Sequence, residues 1–286
     1  MKKRLGILGA GKLAKIIVDA YKQGFLSDYE LVAVLGRNRE HVEGLVNGTE
    51  AAACMEMDVF LATKPDIVAE AASVAAVKDH VSTILQNGSN FVALSIGAFA
   101  DEAFLESVRK TASTYGTKIH LSSGAVGGFD VLRTLALMAQ AQEKLGKDEG
   151  GTEETGSVMN AKQVFCTHKG PDSLRNTPLF TEELVDGNIQ KEGDSTEVFA
   201  GNAKEAIGFL PTKVNVAVAA SLAGIGVEQT QVSINSTYGM SGDDHCITLE
   251  AAGCKTVIDT FSPTADIAAW SVVALLRNLA SPIETF

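Results

Sequence analysis

The sequence predicts an α/β protein that combines an N-terminal Rossmann domain, with a doubly wound parallel sheet, and a second, α+β domain. Three observations predict this class. An apolar run near the N-terminus leads directly into a glycine-rich turn and an amphipathic helix, strand-like and helix-like segments then alternate, and another glycine-rich segment follows at 122–130. Alternation of this kind favours parallel strands that are joined by right-handed crossover helices.

Length and charge limit the classes of function. A chain of 286 residues with 45% hydrophobic residues can bury the cores of two modest domains. Its net charge of -11 argues against binding to nucleic acid or to anionic membranes, which both require basic patches. No apolar stretch has membrane-spanning length, and the N-terminus lacks the apolar core of a signal peptide. We therefore expect a cytoplasmic protein that acts on a small molecule, without a nucleic-acid or membrane partner.

The cysteines and histidines do not indicate a metal site. The four cysteines contain no C-x-x-C pair, and no acidic or histidine cluster has the spacing of metal ligands. We interpret the cysteines as reduced thiols and expect no bound metal.

The first glycine-rich turn has the pattern of a dinucleotide site. Residues 4–8 form an apolar run, and residues 9–14 follow as G-x-G-x-x-A. The first glycine allows a tight turn, the second lets backbone N–H groups approach a pyrophosphate, and the small alanine lets the helix pack closely on the strand. The residues predicted to contact the cofactor here are Gly9, Gly11, Lys12, Leu13 and Ala14.

The end of the second predicted strand, at 31–35, indicates which nicotinamide cofactor is preferred. An NAD site usually has an Asp or Glu here, to bind the ribose 2′-hydroxyl. This chain has Gly36, Arg37, Asn38 and Arg39 instead. A guanidinium group stabilises a 2′-phosphate through charge-assisted hydrogen bonds, so Arg37 and Asn38 predict a preference for NADP, with NAD as the alternative cofactor.

The alternation continues to the end of the predicted Rossmann domain, residues 1–122. We predict strands at 59–62, 66–72, 91–94 and 119–121, with a helix at 74–85 and another that Asp101 caps. A ligand of such a sheet binds at the carboxyl ends of its strands.

The remaining motifs carry a family resemblance. The segments 66–73, 95–98, 123–130, 211–217 and 244–247 resemble the L-aspartate dehydrogenase family in order and approximate spacing. The most distinctive of them reads S-G-A-V-G-G-F-D, at 123–130. The resemblance implies a substrate domain at 123–262 and a C-terminal helix at 263–286 that returns to the Rossmann domain.

What the resemblance implies about function is specific. The family interconverts L-aspartate with iminosuccinate, or with oxaloacetate and ammonia, using NAD(P), and it implies a homodimer. By motif match, Ala125 and Asn215 correspond to positions that contact the cofactor, and His245 to the catalytic histidine. A histidine suits that role because its pKa lies near neutrality. Lys169, in a segment like the family's T-R-K-P-P, is a candidate to attract a substrate carboxylate, although a solvated loop lysine fits the pattern equally well.

Two departures leave alternatives open. The family's N-P-[KR]-T-S segment is replaced at 260–266, which puts the substrate in doubt, and residues 146–157 read as a polar, mobile surface loop. One alternative is a dehydrogenase or imine reductase for another small amino, oxo or hydroxy acid. Another is a non-catalytic NADPH-binding sensor.

Overall fold

The computed structural model describes residues 2–148, 160–185, 191–211 and 214–285. Two compact units divide the chain. The first unit comprises residues up to 124 together with 266–285, and the second comprises 125–265.

A six-stranded parallel sheet forms the centre of the first unit. Its strands lie in the order β3-β2-β1-β4-β5-β6, which confirms the predicted doubly wound Rossmann sheet. The strands are β1 (Lys3–Leu8), β2 (Tyr29–Leu35), β3 (Ala52–Cys54), β4 (Ile67–Glu70), β5 (Asn90–Ala93) and β6 (Ile119–Leu121). The helices between them are α1 (Lys12–Lys22), α2 (Arg39–Val46), α3 (Met57–Ala62), α4 (Val74–Gln86) and α5 (Glu102–Tyr115).

Side-chain caps explain where several of these helices begin. Asn38, Ser73 and Asp101 each accept a hydrogen bond from a backbone N–H in the first turn of α2, α4 and α5. Such a bond satisfies a donor that has no partner within the helix. The cap predicted at Asp101 is therefore confirmed.

One predicted element is wrong. Residues 59–62, predicted as a strand, lie in α3. Acidic residues Glu56 and Asp58 precede this short apolar run, and they favour a helix start because a helix N-terminus carries partial positive charge. A run of four apolar residues does not by itself distinguish a strand from a buried helix segment.

The second unit is built on a mixed five-stranded sheet, in the order β11-β10-β7-β9-β8. The strands are β7 (Ala161–Lys169), β8 (Ser195–Asn202), β9 (Gln231–Thr237), β10 (Asp243–Ala251) and β11 (Cys254–Ser262). Its helices are α6 (Phe129–Asp148), α7 (Ala203–Phe209) and α8 (Asn215–Ala223). Helix α6 packs on β10, and α8 packs on β7. This confirms the expected α+β second part.

Burial alternates along β7. Gln163, Phe165, Thr167 and Lys169 are buried, whereas the residues between them are partly or fully exposed. Successive side chains of a strand point to opposite faces of the sheet. Thr167 and Lys169 therefore lie on the buried face.

The predicted surface loop at 146–157 lies only in part within the described residues. Residues 146–148 belong to the end of α6, so the prediction is wrong for them. Residues 149–157 lie outside the described ranges. The helix extends further than its apolar period indicated, because its last residues have no apolar side chains to mark the turn.

The C-terminal helix α9 (Asp266–Ala280) belongs to the first unit and packs on α1. Ala269, Val272 and Leu276 are buried in the core beside β1 and β2. Trp270, on the same helix, is 41% exposed, and its ring meets the Phe25 ring edge-on with 5.4 Å between the ring centres. It packs at the rim of the core rather than inside it.

Among the described residues, no helix is both long enough and apolar enough to cross a membrane.

Candidate functional site

Gly9 is required by the backbone of the turn after β1. Its φ is +125°, a conformation that residues with a side chain rarely adopt. A Cβ atom at this position would lie 2.4 Å from the carbonyl oxygen of Ala71, which follows β4. The protein's own packing therefore accounts for the first glycine of the motif.

Gly11 has no such requirement. It precedes α1 with φ at -89°, and a Cβ atom here would meet nothing within 4 Å. No side chain caps α1, and its first turn contains no acidic residue. The N–H groups at this helix start can therefore bind an anion, and Gly11 leaves room beside them.

Three further residues of the motif have different surroundings. Ala14 is fully buried, as the close packing of α1 on the sheet requires. The Lys12 ammonium pairs with the Asp266 carboxylate, with 2.7 Å between Nζ and Oδ1, while its side chain stays 69% exposed. Leu13 is half-buried between them. This turn fits a dinucleotide pyrophosphate.

At the end of β2, three polar residues differ in what they contact. The Asn38 side chain accepts a hydrogen bond of 3.0 Å from the His41 backbone N–H, and Arg39 pairs with Glu43. Arg37 is exposed and has no hydrogen bond or ion pair within the described ranges. Its guanidinium is therefore available to a ligand, whereas the Asn38 side-chain oxygen is used in the helix cap.

Glu70, at the carboxyl end of β4, was not singled out from the sequence. Its buried carboxylate accepts hydrogen bonds from the backbone N–H groups of Ala72, Leu94 and Ser95, at 2.7, 3.1 and 2.9 Å, and from the Ser95 hydroxyl at 2.8 Å. Burial raises the pKa of Glu70, and the hydrogen bonds oppose that rise. The residue ties together the ends of β4 and β5. The sequence signal that could have identified Glu70 is an acidic residue at the end of an apolar strand.

In the second unit, His245 lies on the buried face of β10, with 2% of its surface exposed. Its Nδ1 is 2.9 Å from Oγ1 of Thr167, which lies directly opposite on β7. The Phe165 ring lies beside the imidazole, with 5.5 Å between ring centres. No hydrogen bond to Nε2 is found within the described residues.

Lys169 on β7 and Asp243 on β10 form an ion pair, each two residues along its strand from the paired Thr167 and His245. The distance from Nζ to Oδ1 is 2.5 Å, and the Lys169 side chain is only 3% exposed. Burial and the Lys169 ammonium lower the pKa of His245 to about 4, while the Asp243 carboxylate opposes that shift. His245 is therefore a neutral imidazole at neutral pH.

Ser236, on β9, lies next to Lys169 in the sheet. The two residues are paired in register between the parallel strands β7 and β9. The Ser236 hydroxyl is buried and has no hydrogen-bond partner among the described residues. Neither Ser236 nor Asp243 was predicted from the sequence, because their relevance arises only from strand pairing.

Ala125 and Asn215 lie on other elements of the second unit. Ala125 is half-buried and precedes α6, and Asn215 is the half-buried first residue of α8. His245 and Lys169 lie on paired strands, β10 and β7, whereas Ala125 lies in the segment before α6 and Asn215 begins α8.

A Rossmann unit with an open glycine turn, followed by a unit that carries a buried histidine beside a lysine, has the features expected of a nicotinamide-dependent dehydrogenase. Residues 9–122 match the family model of the homoserine dehydrogenase NAD binding domain. Residues 154–279 match the model of the aspartate dehydrogenase C-terminal region. Both units of the chain are therefore similar to parts of known dehydrogenases, the second to the aspartate dehydrogenase C-terminal region and the first to a nicotinamide-cofactor domain.

Similar proteins cover the whole chain. An L-aspartate dehydrogenase of Methanococcus maripaludis is 28% identical over 98% of both chains, and one of Methanocaldococcus jannaschii is 27% identical over the same share. The crystal structure of aspartate dehydrogenase from Thermotoga maritima matches with a TM-score of 0.74 at 24% identity, covering 100% of both chains. That structural match bears on the fold.

Proposed function

We propose that this protein is an NAD(P)-dependent oxidoreductase of the CH–NH2 group. It interconverts L-aspartate and iminosuccinate, which water converts to oxaloacetate and ammonia. The observation that carries this proposal is the buried, neutral His245 beside the Lys169–Asp243 pair. The L-aspartate dehydrogenases that match the full chain support the choice of substrate.

His245 provides the acid/base chemistry in this proposal. Oxidation of an α-ammonium group to an iminium removes one hydride from the α-carbon and one proton from nitrogen. A bound nicotinamide cofactor would supply the acceptor for the hydride. In this proposal the neutral imidazole accepts the proton at Nε2 and returns it in the reverse reaction, and burial with the Lys169 ammonium, which lower its pKa, keep it neutral beforehand.

Lys169 provides the attraction for a substrate carboxylate. Its ammonium is buried, so water screens it weakly, and it lies near His245 on the neighbouring strand. Asp243 offsets its charge in the absence of substrate.

The substrate is tested by NADPH oxidation in the presence of ammonium and a panel of 2-oxo acids. We expect oxaloacetate to turn over fastest, and Lys169→Met to raise the KM for oxaloacetate by about tenfold. Turnover of another acid with oxaloacetate inert would favour a dehydrogenase or imine reductase of different specificity. Tight NADPH binding without any turnover would favour a non-catalytic sensor.

The preferred cofactor is NADP. Arg37 follows β2 and is exposed and unpaired within the described residues, as a contact for a 2′-phosphate should be. The adjacent Arg39 is already paired with Glu43. No carboxylate stands at 36–39 to bind a 2′-hydroxyl.

Arg37→Ala is expected to lower the ratio of kcat/KM for NADPH over NADH by about ten- to a hundredfold, since one charge-assisted contact is lost. Initial rates with both cofactors measure the ratio. Arg39→Ala is the matched control and should leave the ratio nearly unchanged. An equal loss of activity with both cofactors would contradict a role in discrimination.

The sheet of the second unit supports a homodimer. The face opposite His245 carries the apolar side chains of Val257 and Phe261, 55% and 60% exposed. Val257 lies opposite Thr248 and Phe261 opposite Asp244, so both belong to that face. A second copy of the chain would bury them. Sedimentation equilibrium should give twice the chain mass of 30.0 kDa, and a monomer would contradict the dimer.

A cytoplasmic location agrees with the state of the cysteines. Cys54, Cys166, Cys246 and Cys254 are all free thiols. Disulfides are rare in reducing compartments.

A further inference from the structure

We propose that Thr167 is a positioning residue that holds His245 in the tautomer with Nε2 available for proton transfer. This inference rests on the acid/base role proposed for His245. Thr167 acts through the imidazole and does not itself touch the substrate.

The geometry leaves His245 little freedom. Residues Asp243–Ala251 of β10 pair continuously with Ala161–Lys169 of β7, which places Thr167 directly opposite His245 on the same face. Both residues are buried, with 0% and 2% of their surfaces exposed. Water therefore does not compete for the bond of 2.9 Å between Oγ1 and Nδ1.

The chemistry of the hydroxyl determines what this bond can do. A neutral imidazole that accepts protons at Nε2 must carry its hydrogen on Nδ1. Nδ1–H can then donate to the lone pair of Thr167 Oγ1. The same bond persists when Nε2 becomes protonated, because Nδ1 remains a donor. The Thr167 hydroxyl can thus serve both the base and the acid form without rearrangement.

The charged groups around His245 do not provide an alternative acceptor at Nδ1. Lys169 on β7 and Asp243 on β10 act on it electrostatically and are paired with each other. The residue opposite on β11 is the uncharged Thr260. On α6, which packs on β10, the charged residues of the first two turns, Asp130 and Arg133, are exposed, and the next charged residues, Glu143 and Lys144, lie towards its other end. Among the described residues, the contact found at Nδ1 is therefore Thr167.

The test compares Thr167→Val with Thr167→Ser. Valine has the shape of threonine but no hydroxyl, whereas serine keeps it. In Thr167→Val we expect the Nε2–H tautomer of His245 to increase, kcat to fall by about ten- to a hundredfold with little change in KM, and the acid limb of the pH profile to move to lower pH. The shift follows because the imidazolium loses the acceptor for Nδ1–H. Thr167→Ser should restore kcat and tautomer nearly to those of the wild type.

The tautomer is measured by ¹⁵N NMR of histidine-labelled protein, without turnover. Thr248→Val is the matched control, because Thr248 lies on the opposite face of β10, three residues from His245. An unchanged tautomer in Thr167→Val would overturn the inference. A changed tautomer with an unchanged rate would support the control of His245 by Thr167 and would contradict the catalytic role of His245 instead.

Discussion

Replacing His245 by Ala is expected to lower kcat for L-aspartate oxidation by about a hundredfold or more, because the proposed proton acceptor is lost. His245→Asn should lose a similar factor, since an amide cannot accept the proton at neutral pH. Steady-state rates at saturating aspartate and NADP measure the loss. Both variants should bind NADPH as the wild type does, because the predicted pyrophosphate site lies in the first unit. A near-normal kcat would remove His245 from the mechanism.

His245→Ala is also expected to change how the free energy of unfolding depends on pH. The pKa of His245 is about 4 in the folded protein and 6.5 in a model peptide, so the unfolded chain binds this proton more readily. The free energy of unfolding of the wild type should therefore decrease as the pH falls from 6.5 towards 4. His245→Ala should show a weaker decrease over that range in urea unfolding experiments. Parallel curves would show that burial does not depress this pKa.

Gly9→Ala is expected to lower the free energy of unfolding by about 2 to 4 kcal/mol. The added methyl group would meet the Ala71 carbonyl oxygen at 2.4 Å, and alanine is strained at a φ of +125°. Because the clash is with backbone, relief requires the end of β4 to move. Urea unfolding without cofactor measures this loss.

Gly11→Ala is the matched control for Gly9→Ala. Its methyl group meets nothing within 4 Å, so the unfolding free energy should change little. The space it fills is where a pyrophosphate would approach α1, so the Kd for NADPH should rise by about tenfold. Although both variants add one methyl group, Gly9→Ala should therefore reduce stability and Gly11→Ala should weaken NADPH binding. Equal stability losses would contradict the separate roles assigned to these glycines.

The elements that sequence predicted well are those specified by local signals. Gly9, Gly11 and the apolar period after them identify strand, turn and helix because backbone freedom and helical spacing are local properties. Asp101 was recognised as a cap for the same reason. The error at 59–62 occurred where the run was too short for its period to distinguish a helix from a strand.

The residues of the candidate site likewise fall into two groups, those that local sequence identified and those that only the tertiary structure identified. The sequence by itself determined the Rossmann turn, the absence of a carboxylate at the end of β2, and, by resemblance, the importance of His245. Only the tertiary structure brought Thr167 and Lys169 to His245, because the register of β7 against β10 joins residues about 75 positions apart in the chain. Burial, together with the Lys169 ammonium, explains why this histidine is neutral, and burial explains why this lysine keeps an acidic partner, since a charge loses its hydration when other elements cover it. Neither register nor burial is a local property of the chain.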